Sequence, residues 1–574
     1  MSRAIILYSL FIVFLNIGRS EEKANGGMNC LDCNIVVAIV QQYSELNNIS
    51  VINTLDTFCN FLPEELSVFC HKALAILGPL LISLISSHQD PNVICHALNF
   101  CYTEPGQPTC RGISPPTFTE MTDEEFLIRV SSARHLVKHL LQKQSLLRPG
   151  LGFDICSLPG IREICELLQR INNLETPAVD LDRDGFSSIF SLRGSAWRGK
   201  DCNDTDLYVH PGAIPVDGDA ERDSNCNGIL GVNPDTGKTY EEELCADSQP
   251  RGVAVLGDSI SAHFHLPVQW FDPKLINKRS FLSVWTVIQN QGDWPMMSGS
   301  TGYGKNVWPD VISGPIDSIY LKLRARNRCN HRDYQNIAVN GENSFKLKKL
   351  VKTLSRNAAS DRPLVVLYAL AGSDVCSGPD HRMTSPEDMY NNTLATLDNL
   401  ATVLPNNSHV IIFGLADGSW IHENMASRVH PLTSYWGTFT YSKFYDFINC
   451  LDILSCLGWL TNNQTTREIT LQRAKELSSV LQKVVDTNKG RYSNFKLHFV
   501  DDPLSKEYKQ WTKLGGEGWE LIEAVDSLHS SQIGQAFGSN VTWGTLMSLD
   551  PEIFGPVNPN NDKIVSLFGD QGGY

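Results

Sequence analysis

Sixteen cysteines constrain this chain more than any other feature, because each disulfide fixes which parts of a chain lie together. The chain has 574 residues, too many for one hydrophobic core, and is expected to hold about two to four folded units. Residues 1–20 predict a secretory signal, with Arg3 as the positive end of an apolar run. Cysteines of exported proteins usually form disulfides rather than metal thiolates. We therefore predict a disulfide-bonded protein that is secreted or lies in a lysosomal lumen.

A single-pass membrane anchor is the alternative interpretation of residues 1–20, but the apolar run is shorter than the ~20 residues that a span needs. No later segment reaches that length, so no stable membrane span is predicted. The formal net charge of −15 argues against a nucleic-acid partner. N-x-S/T sequons, which fit an exported glycoprotein, occur at Asn48, Asn203, Asn391, Asn406, Asn463 and Asn540.

The cysteines between residues 30 and 101 lie among strongly apolar helical segments. NIVVAIVQQYSELNNIS and ALAILGPLLISLI have wide apolar faces, more than a unit of this size easily buries. Spacing alone does not choose among the possible pairings, and the helices alone are compatible with a small self-packed core. The pattern over residues 28–104 resembles a saposin domain, an all-α fold that holds lipid acyl chains. That resemblance implies the pairs Cys30–Cys101, Cys33–Cys95 and Cys59–Cys70.

Residues 105–175 predict linker helices. TEMTDEEFLIRVSSARHLVKHLLQKQSLL has helical periodicity after a threonine cap, and RPGLGFDIC follows with helix-breaking proline and glycine. Arg148 in the second stretch is the predicted site of proteolytic processing, and an uncut loop is the alternative.

Two loops within residues 176–232 carry acidic and amide side chains at alternate positions. DLDRDGF has the spacing by which alternate carboxylates converge on one hard cation, and DSNCNGI repeats it. Neither loop has a glutamate at position 12, so these are not EF-hands. The many oxygen donors favour structural Ca²⁺ over Mg²⁺, with a solvated acidic turn as the alternative. The predicted ligands are Asp180, Asp182, Asp184, the Phe186 carbonyl, Asp201, Asn203, Asp204, Asp206, Asp219, Asp223, Asn225, Asn227 and the Ile229 carbonyl. As a calcium ligand, Asn203 is not expected to carry glycan.

Apolar runs alternate with longer helical segments in the predicted catalytic domain, residues 245–574. GVAVLG, SIYLKL, PLVVLYALAG, HVIIFGLA and FKLHFV predict strands, and segments such as SPEDMYNNTLATLDNLATVL predict the helices between them. This alternation predicts a mainly parallel sheet with helices on both faces, a three-layer α/β fold. Ligands bind at the carboxyl ends of the strands in such folds, and Ser259 directly follows the first strand.

The turn GDSIS departs from the G-x-S-x-G elbow of lipases, because Ser261 stands where the second glycine belongs. Asp and Ser also open helices as N-caps, which is the alternative to a nucleophile. The G-D-S sequence resembles the GDSL, or SGNH, hydrolases, which carry their Asp and His as D-x-x-H near the C-terminus. AVDSLHSSQIG supplies Asp526 and His529. The predicted roles are Ser259 as nucleophile, His529 as base and Asp526 as the group that orients the imidazole.

The same resemblance implies an oxyanion hole made by the Ser259 amide, a glycine amide and an asparagine side chain. NIAVNGENS nominates Gly341 for the glycine, whereas ALAGSDVCSG has Ser373 in place of the asparagine. A serine hydroxyl can still donate, with shorter reach, and losing one such donor costs ~10²–10³ in rate. His263 and His265 are interpreted as structural, and neither is predicted to be the base.

A saposin segment, calcium loops and a GDSL hydrolase in this order resemble the acyloxyacyl hydrolase family, as do LRGSAWRGKDCND, CNHRDYQN and FGDQGGY. The resemblance implies a lipase that inactivates bacterial lipopolysaccharide by removing acyl chains esterified to other acyl chains. It also implies cleavage into a small and a large subunit joined by a disulfide. Cys110 is the predicted small-subunit cysteine, with Cys450 as first choice of partner. Two alternatives stay open: a phospholipase or other acyl-lipid esterase, and a catalytically weak lipid-binding glycoprotein.

Overall fold

The computed structural model describes residues 24–118, 121–144, 162–378, 382–453 and 456–574. The predicted signal and Arg148 lie outside the described residues. The described α-helices are α1 (Gly27–Asn47), α2 (Val51–Phe61), α3 (Glu64–His88), α4 (Pro91–Ala97), α5 (Asp123–Gln144), α6 (Arg162–Asn172), α7 (Tyr240–Leu244), α8 (Ser259–Ala262), α9 (Val284–Gln289), α10 (Ile319–Arg326), α11 (Ser344–Leu350), α12 (Pro386–Leu400), α13 (Ser419–Met425), α14 (Tyr441–Cys450), α15 (Gln464–Asn488), α16 (Pro503–Lys513), α17 (Gln532–Leu549) and α18 (Asn561–Phe568). The described strands are β1 (Gly252–Gly257), β2 (Tyr334–Asn336), β3 (Leu364–Ala369), β4 (Ser408–Phe413) and β5 (Phe495–Val500).

Helices α1 to α4 form the predicted all-α unit at the N-terminal end. Ser50 caps α2 by accepting the amide hydrogen of Asn53, and Asp90 caps α4 by accepting that of Asn92. Pro79 lies inside α3 and removes one helical hydrogen bond, which accounts for the 64° bend between its two halves. Disulfides fasten this unit at Cys30–Cys101, Cys33–Cys95 and Cys59–Cys70.

Helix α5, which lies in the predicted linker, packs on α3 and α4. Its inward face carries Phe126, Val130 and Ala133, all buried, so this part of the linker enlarges the helical unit. The unit is attached to the rest of the chain by the Cys110–Cys450 disulfide. Gln42 also donates to the Leu432 carbonyl at 2.7 Å.

The catalytic half is built on a five-stranded sheet in the order β2-β1-β3-β4-β5, with every pair parallel. Helices α11, α12 and α15 form one layer, in which α15 packs on β4 and β5, and α10, α16 and α17 form the other. Parallel strands must be covered on both faces, and β1 is buried along its whole length. The predicted three-layer α/β fold is confirmed.

The strand predicted at SIYLKL is wrong, because these residues begin helix α10. Ser318 caps the helix by accepting the amide hydrogen of Leu321 at 2.9 Å, and Ile319 and Leu323 lie buried at helical spacing. The second strand is instead β2, three residues of the sequence Tyr-Gln-Asn, all buried. These residues form a strand because they lie beside β1 in the folded chain, not because apolar and polar residues alternate in their sequence.

Within the part of the chain that the structure describes, no single helix is both long and apolar enough to cross a membrane. The bent pair Glu64–Ala75 and Gly78–Ser87 within α3 has the necessary length and composition when taken together.

Candidate active site

The turn between β1 and α8 presents Ser259 at the carboxyl edge of the sheet. Asp258 caps α8 by accepting the amide hydrogen of Ile260, and the helix ends after four residues. Gly257 is required at the turn, because a Cβ there would meet the Ser261 hydroxyl and lie 2.6 Å from the Ala369 carbonyl oxygen. Ser259 is therefore held on a short, closely packed turn.

A continuous hydrogen-bond chain joins the three predicted triad residues. The Ser259 hydroxyl donates to His529 Nε2 at 2.7 Å, and His529 Nδ1 lies 2.6 Å from Asp526 Oδ2. The other Asp526 oxygen accepts the amide hydrogens of Leu528 and His529 at 2.8 and 3.1 Å. This loop geometry orients the carboxylate toward the imidazole and the imidazole toward the serine.

Charges around His529 favour its protonated form during catalysis. Burial alone would lower the pKa of His529, but the charge and hydrogen bond of Asp526 outweigh burial and raise it, with contributions from Asp258 and Glu523. Conversely, burial would raise the pKa of Asp526, and the His529 imidazolium and hydrogen bonds lower it. These opposite shifts favour an ionised Asp526 carboxylate beside a protonated His529 imidazole.

Glu523 is a supporting residue that sequence reasoning missed. Its amide hydrogen is donated to the His529 carbonyl at 2.8 Å, and its buried carboxylate accepts a hydrogen bond from His265 Nδ1. The Phe264 and His529 rings lie 4.6 Å apart. Glu523 therefore ties the triad loop to the segment that follows the nucleophile, and only the folded contact reveals it.

His263 does not take part in this hydrogen-bond chain. It is fully buried, its Nδ1 faces the Trp294 carbonyl at 3.3 Å, and burial lowers its pKa well below the ordinary value. The structure thus places His263 and His265 as buried neighbours, with ring centroids 6.0 Å apart.

The two loops predicted to complete the oxyanion hole both contact the turn that carries Ser259. Val339 donates its amide hydrogen to the Gly257 carbonyl at 3.1 Å, which brings Gly341 close to the end of β1. Asp258 Oδ2 accepts the amide hydrogens of Ala371 and Gly372, and half-buried Ser373 comes next in the chain.

An apolar cavity adjoins the triad, beneath the carboxyl edge of the sheet. Its walls include Leu367, Ala369 and Phe413 from the strands and glycines of α17. A second, smaller cavity is lined by His529 and shares Ile260 with the first. Ile260 and Ser530, which directly follow Ser259 and His529 in the chain, line both cavities, so the space next to this hydrogen-bond chain is suited to an apolar chain.

Glu507 lines both cavities and is 5% exposed. Its carboxyl group lies against α17 where a Cβ on Gly538 would be 2.6 Å away. Burial raises the pKa of Glu507 well above its ordinary value, which favours the uncharged carboxyl form in the cavity wall.

The first acidic loop and the DCNDTD segment form clusters that can hold a cation. Carboxylate oxygens of Asp180, Asp182 and Asp204 lie within 4.8 Å of one another, as do those of Asp182, Asp184 and Asp201. One buried oxygen on each of Asp182, Asp184 and Asp201 has no hydrogen-bond partner. Burial, reinforced by the neighbouring carboxylates, raises the pKa of Asp184 to about 8 and that of Asp201 to about 7. Unpartnered, crowded carboxylates are the donor set that Ca²⁺ prefers.

Two predicted ligands beside this cluster have other partners. Asp206 forms an ion pair with Arg222 at 2.7 Å, and Asn203 accepts a hydrogen bond from Thr205. Phe186 is fully buried, and its ring stacks on His210.

The second loop is organised around a residue that was not predicted, Glu241. The side-chain amides of Asn225 and Asn227 both donate to its carboxylate. Asp223 accepts the amide hydrogens of residues 227 and 228. Asp219 bonds to the Ser224 hydroxyl through one oxygen and keeps the other buried and unpartnered. Ile229 is buried, and the Cys202–Cys226 disulfide fastens the DCNDTD segment to this second loop.

The predicted glycan acceptors are all on the surface. Exposed asparagines occupy the sequons predicted to carry glycan: Asn48, Asn391, Asn406, Asn463 and Asn540. Asn203, the predicted calcium ligand, is exposed as well.

Comparisons with known proteins agree with the two halves of this architecture. A family model described as a saposin-like domain matches residues 29–166, and one described as GDSL-like lipase/acylhydrolase matches residues 253–537. Acyloxyacyl hydrolase of Oryctolagus cuniculus is 40% identical over 551 residues, which cover 95% of this chain and 93% of that protein. The proteins of that name from Homo sapiens and Mus musculus are each 39% identical. Their alignments cover 97% and 96% of this chain and 96% and 94% of the relatives.

Proposed function

Since this chain belongs to the acyloxyacyl hydrolase family and is a lipid acyl-ester hydrolase, we propose that it acts on bacterial lipopolysaccharide by a Ser-His-Asp mechanism. The bonds cleaved are those by which secondary acyl chains are esterified to other acyl chains. The observation that carries the proposal is the Ser259–His529–Asp526 hydrogen-bond chain beside an apolar cavity.

The reaction begins when the Ser259 oxygen attacks the acyl carbonyl while His529 takes the serine proton. Amides of Ser259 and Gly341, with the Ser373 hydroxyl, stabilise the negative oxygen of the tetrahedral intermediate. His529 then gives its proton to the leaving hydroxyl oxygen, and the acyl group remains on Ser259. A water molecule, activated by the same histidine, releases the fatty acid and restores the serine.

The helical unit supports a lipid-aggregate substrate. Ile52 and Val68 are about half exposed, at 53% and 51%. A groove between this unit and the catalytic half is lined by Ile85, Phe118 and Trp436 among others. Such apolar surface can shelter the acyl chains that are not being cleaved. The isolated catalytic half is then expected to cleave lipopolysaccharide micelles more slowly than the whole protein, and equal rates would contradict this division of labour.

Lipopolysaccharide is distinguished from other acyl lipids by a direct comparison. The purified protein is incubated with lipopolysaccharide and with phosphatidylcholine vesicles, and the released fatty acids are identified by mass spectrometry. We expect release of secondary acyl chains from lipopolysaccharide in preference to phospholipid chains. Faster release from the vesicles would instead favour a phospholipase.

We also propose that the chain is cut by a protease in the linker and that it is exported. We expect cleavage in the linker near Arg148, with the Cys110–Cys450 disulfide holding the resulting small and large subunits together. The disulfides and exposed sequons fit a secreted or lysosomal protein.

Filling the apolar cavity should shorten the acyl chain that the enzyme accepts. Ala369 is half-buried at the carboxyl end of β3 and lines the cavity. The Ala369→Leu variant is expected to lower kcat/KM for a long-chain acyl ester by ~10–100-fold, because two or three methylenes lose their contacts at ~0.8 kcal/mol each. Activity on an acetyl ester should change by less than ~3-fold. The control is Ala401→Leu, which makes the same change at a half-buried position outside the cavity. Equal losses on both esters would contradict an acyl pocket here.

Calcium removal is expected to destabilise the protein through the acidic loops. Carboxylates of Asp180, Asp182, Asp184, Asp201 and Asp204 would hold the ion, whose charge offsets their mutual repulsion. At 100-fold excess over Kd, calcium stabilises by ~2.7 kcal/mol, so chelation should lower Tm by ~3–4 °C for a folded unit of this size. Scanning calorimetry with EDTA and then with excess CaCl₂ measures this change.

Asp184→Asn should lose most of the calcium response while Asp235→Asn, on an exposed turn, keeps it. If chelation leaves the Tm of the wild-type protein unchanged, calcium binding by the acidic loops is contradicted.

A further inference from the structure

Two histidines and an aspartate meet on the sheet face that α17 covers. His409 is the second residue of β4 and is 3% exposed, and half-buried His498 lies on β5. Nδ1 of His409 and Nε2 of His498 are 3.1 Å apart, and one ligand atom from each of these residues and Asp550 lies within 4.8 Å of the others. Asp550 directly follows α17.

We propose that His409, His498 and Asp550 bind a divalent transition-metal ion, with zinc as the best chemical match. Two imidazole nitrogens, one carboxylate oxygen and a water in the fourth position form a common zinc coordination sphere. Calcium and magnesium take oxygen donors, so this site is chemically different from the acidic loops.

The spacing of the donors suits tetrahedral coordination. Two nitrogens each bound at 2.0–2.1 Å and separated by a tetrahedral angle lie about 3.3 Å apart, within a few tenths of an ångström of the observed 3.1 Å. Asp550 Oδ1 accepts the amide hydrogen of Glu552 at 3.0 Å. That bond orients the carboxylate and leaves its second oxygen for the ion, as hydrogen-bond partners of metal ligands commonly do.

Burial disfavours the charged form of both imidazoles. Burial, assisted by the neighbouring His498, lowers the pKa of His409 to about 4. Burial also lowers the pKa of His498. Neutral imidazoles do not have to lose a proton to water before coordination.

The cationic side chains nearest the site have their own partners. Lys496 forms an ion pair with Glu552 at 2.6 Å, and Arg251 donates to the backbone carbonyls of Glu552 and Ile553. These partners hold both cations in place, and the charges of Arg251 and Lys496 still contribute to the lowered pKa of His409. A hydrogen bond between the two histidines would account for their 3.1 Å separation. It would not account for the Asp550 carboxylate that lies beside both nitrogens.

Zinc binding would join β4, β5 and the C-terminal end of α17. Helix α17 begins three residues after His529 and forms a wall of the apolar cavity. The ion would therefore raise the stability of the layer that supports the triad loop, as any ligand specific to the folded state does.

Titration calorimetry with ZnCl₂ tests the site on the full-length protein, first stripped with chelating resin and then saturated with CaCl₂ to occupy the acidic loops. We expect one zinc ion per chain, with a dissociation constant of about 1 µM or tighter, and a zinc-dependent rise in Tm. His498→Gln and Asp550→Asn should each weaken binding at least ~10-fold. His422→Gln, a half-buried histidine on α13 that bonds to Asn462, is the matched control and should bind zinc like wild type.

Each variant is first shown to unfold cooperatively without zinc, so that weakened binding is not a folding defect. Asp550→Asn preserves the shape of the side chain, so it alone tests the site if His498→Gln fails to fold. The proposal is overturned if wild type shows no saturable zinc binding, or if His498→Gln and Asp550→Asn bind as tightly as the control.

Discussion

Replacing Ser259 with alanine is expected to lower kcat for fatty-acid release by ~10⁶-fold, because the triad acts as a unit and loses its nucleophile. The substitution removes one oxygen from a half-buried position and leaves His529 bonded to Asp526 at 2.6 Å. What remains is the ~10³–10⁴-fold acceleration that binding and the oxyanion hole give over water. Single-turnover release of labelled fatty acid from lipopolysaccharide measures the change.

Two controls separate chemistry from folding and from lipid binding. Ser548→Ala makes the same chemical change on the exposed end of α17 and should keep wild-type activity. Ser259→Ala itself should still bind labelled lipopolysaccharide, since its side chain is not part of the apolar cavity. Fatty-acid release that survives in Ser259→Ala would rule out the serine mechanism. Wild-type protein that binds lipid but releases no fatty acid would identify a lipid-binding glycoprotein and direct attention to Ser373.

The sequence predicts the architecture of the catalytic half well, because strand–helix alternation is a local property. The runs that became β1, β3 and β4 are apolar enough to be buried on both faces, as inner parallel strands require. The run that became β5 forms an edge strand, in which Lys496 is exposed. SIYLKL is also a short, largely apolar run, but its first residue, Ser318, caps a helix, and the buried Ile319 and Leu323 repeat at helical spacing. A short apolar run of this kind does not by itself distinguish a strand from a helix.

Contacts between distant segments are what sequence reasoning could not supply. Ser259 and His529 were linked only because a resemblance to known hydrolases joined G-D-S with D-x-x-H. Glu523 and Glu241 belong to no motif, and each acquires its role from a partner more than ten residues away in the chain. The His409–His498 pair arises from strand register alone, which pairs His409 with Lys496 and places His498 on the same face.

Replacing Asp526 with asparagine is expected to lower kcat by ~10⁴-fold while the fold stays intact. The amide keeps the size of the side chain but lacks the charge that holds the His529 tautomer and stabilises its imidazolium. The pH profile gives a second readout. His529 is a base only when neutral, so kcat/KM falls as the pH drops through its pKa.

Because Asp526 raises the pKa of His529, the acidic limb of the wild-type profile is expected above the ordinary histidine value of 6.5. In Asp526→Asn that limb should move to lower pH, even though the plateau is ~10⁴-fold lower. Glu523→Gln is the informative comparison, because this carboxylate also raises the His529 pKa but bonds to His265 rather than to the imidazole. It should move the limb in the same direction with a much smaller loss of kcat. A profile whose acidic limb is identical in all three proteins would show that His529 is not the base, since its protonation could not then limit the reaction.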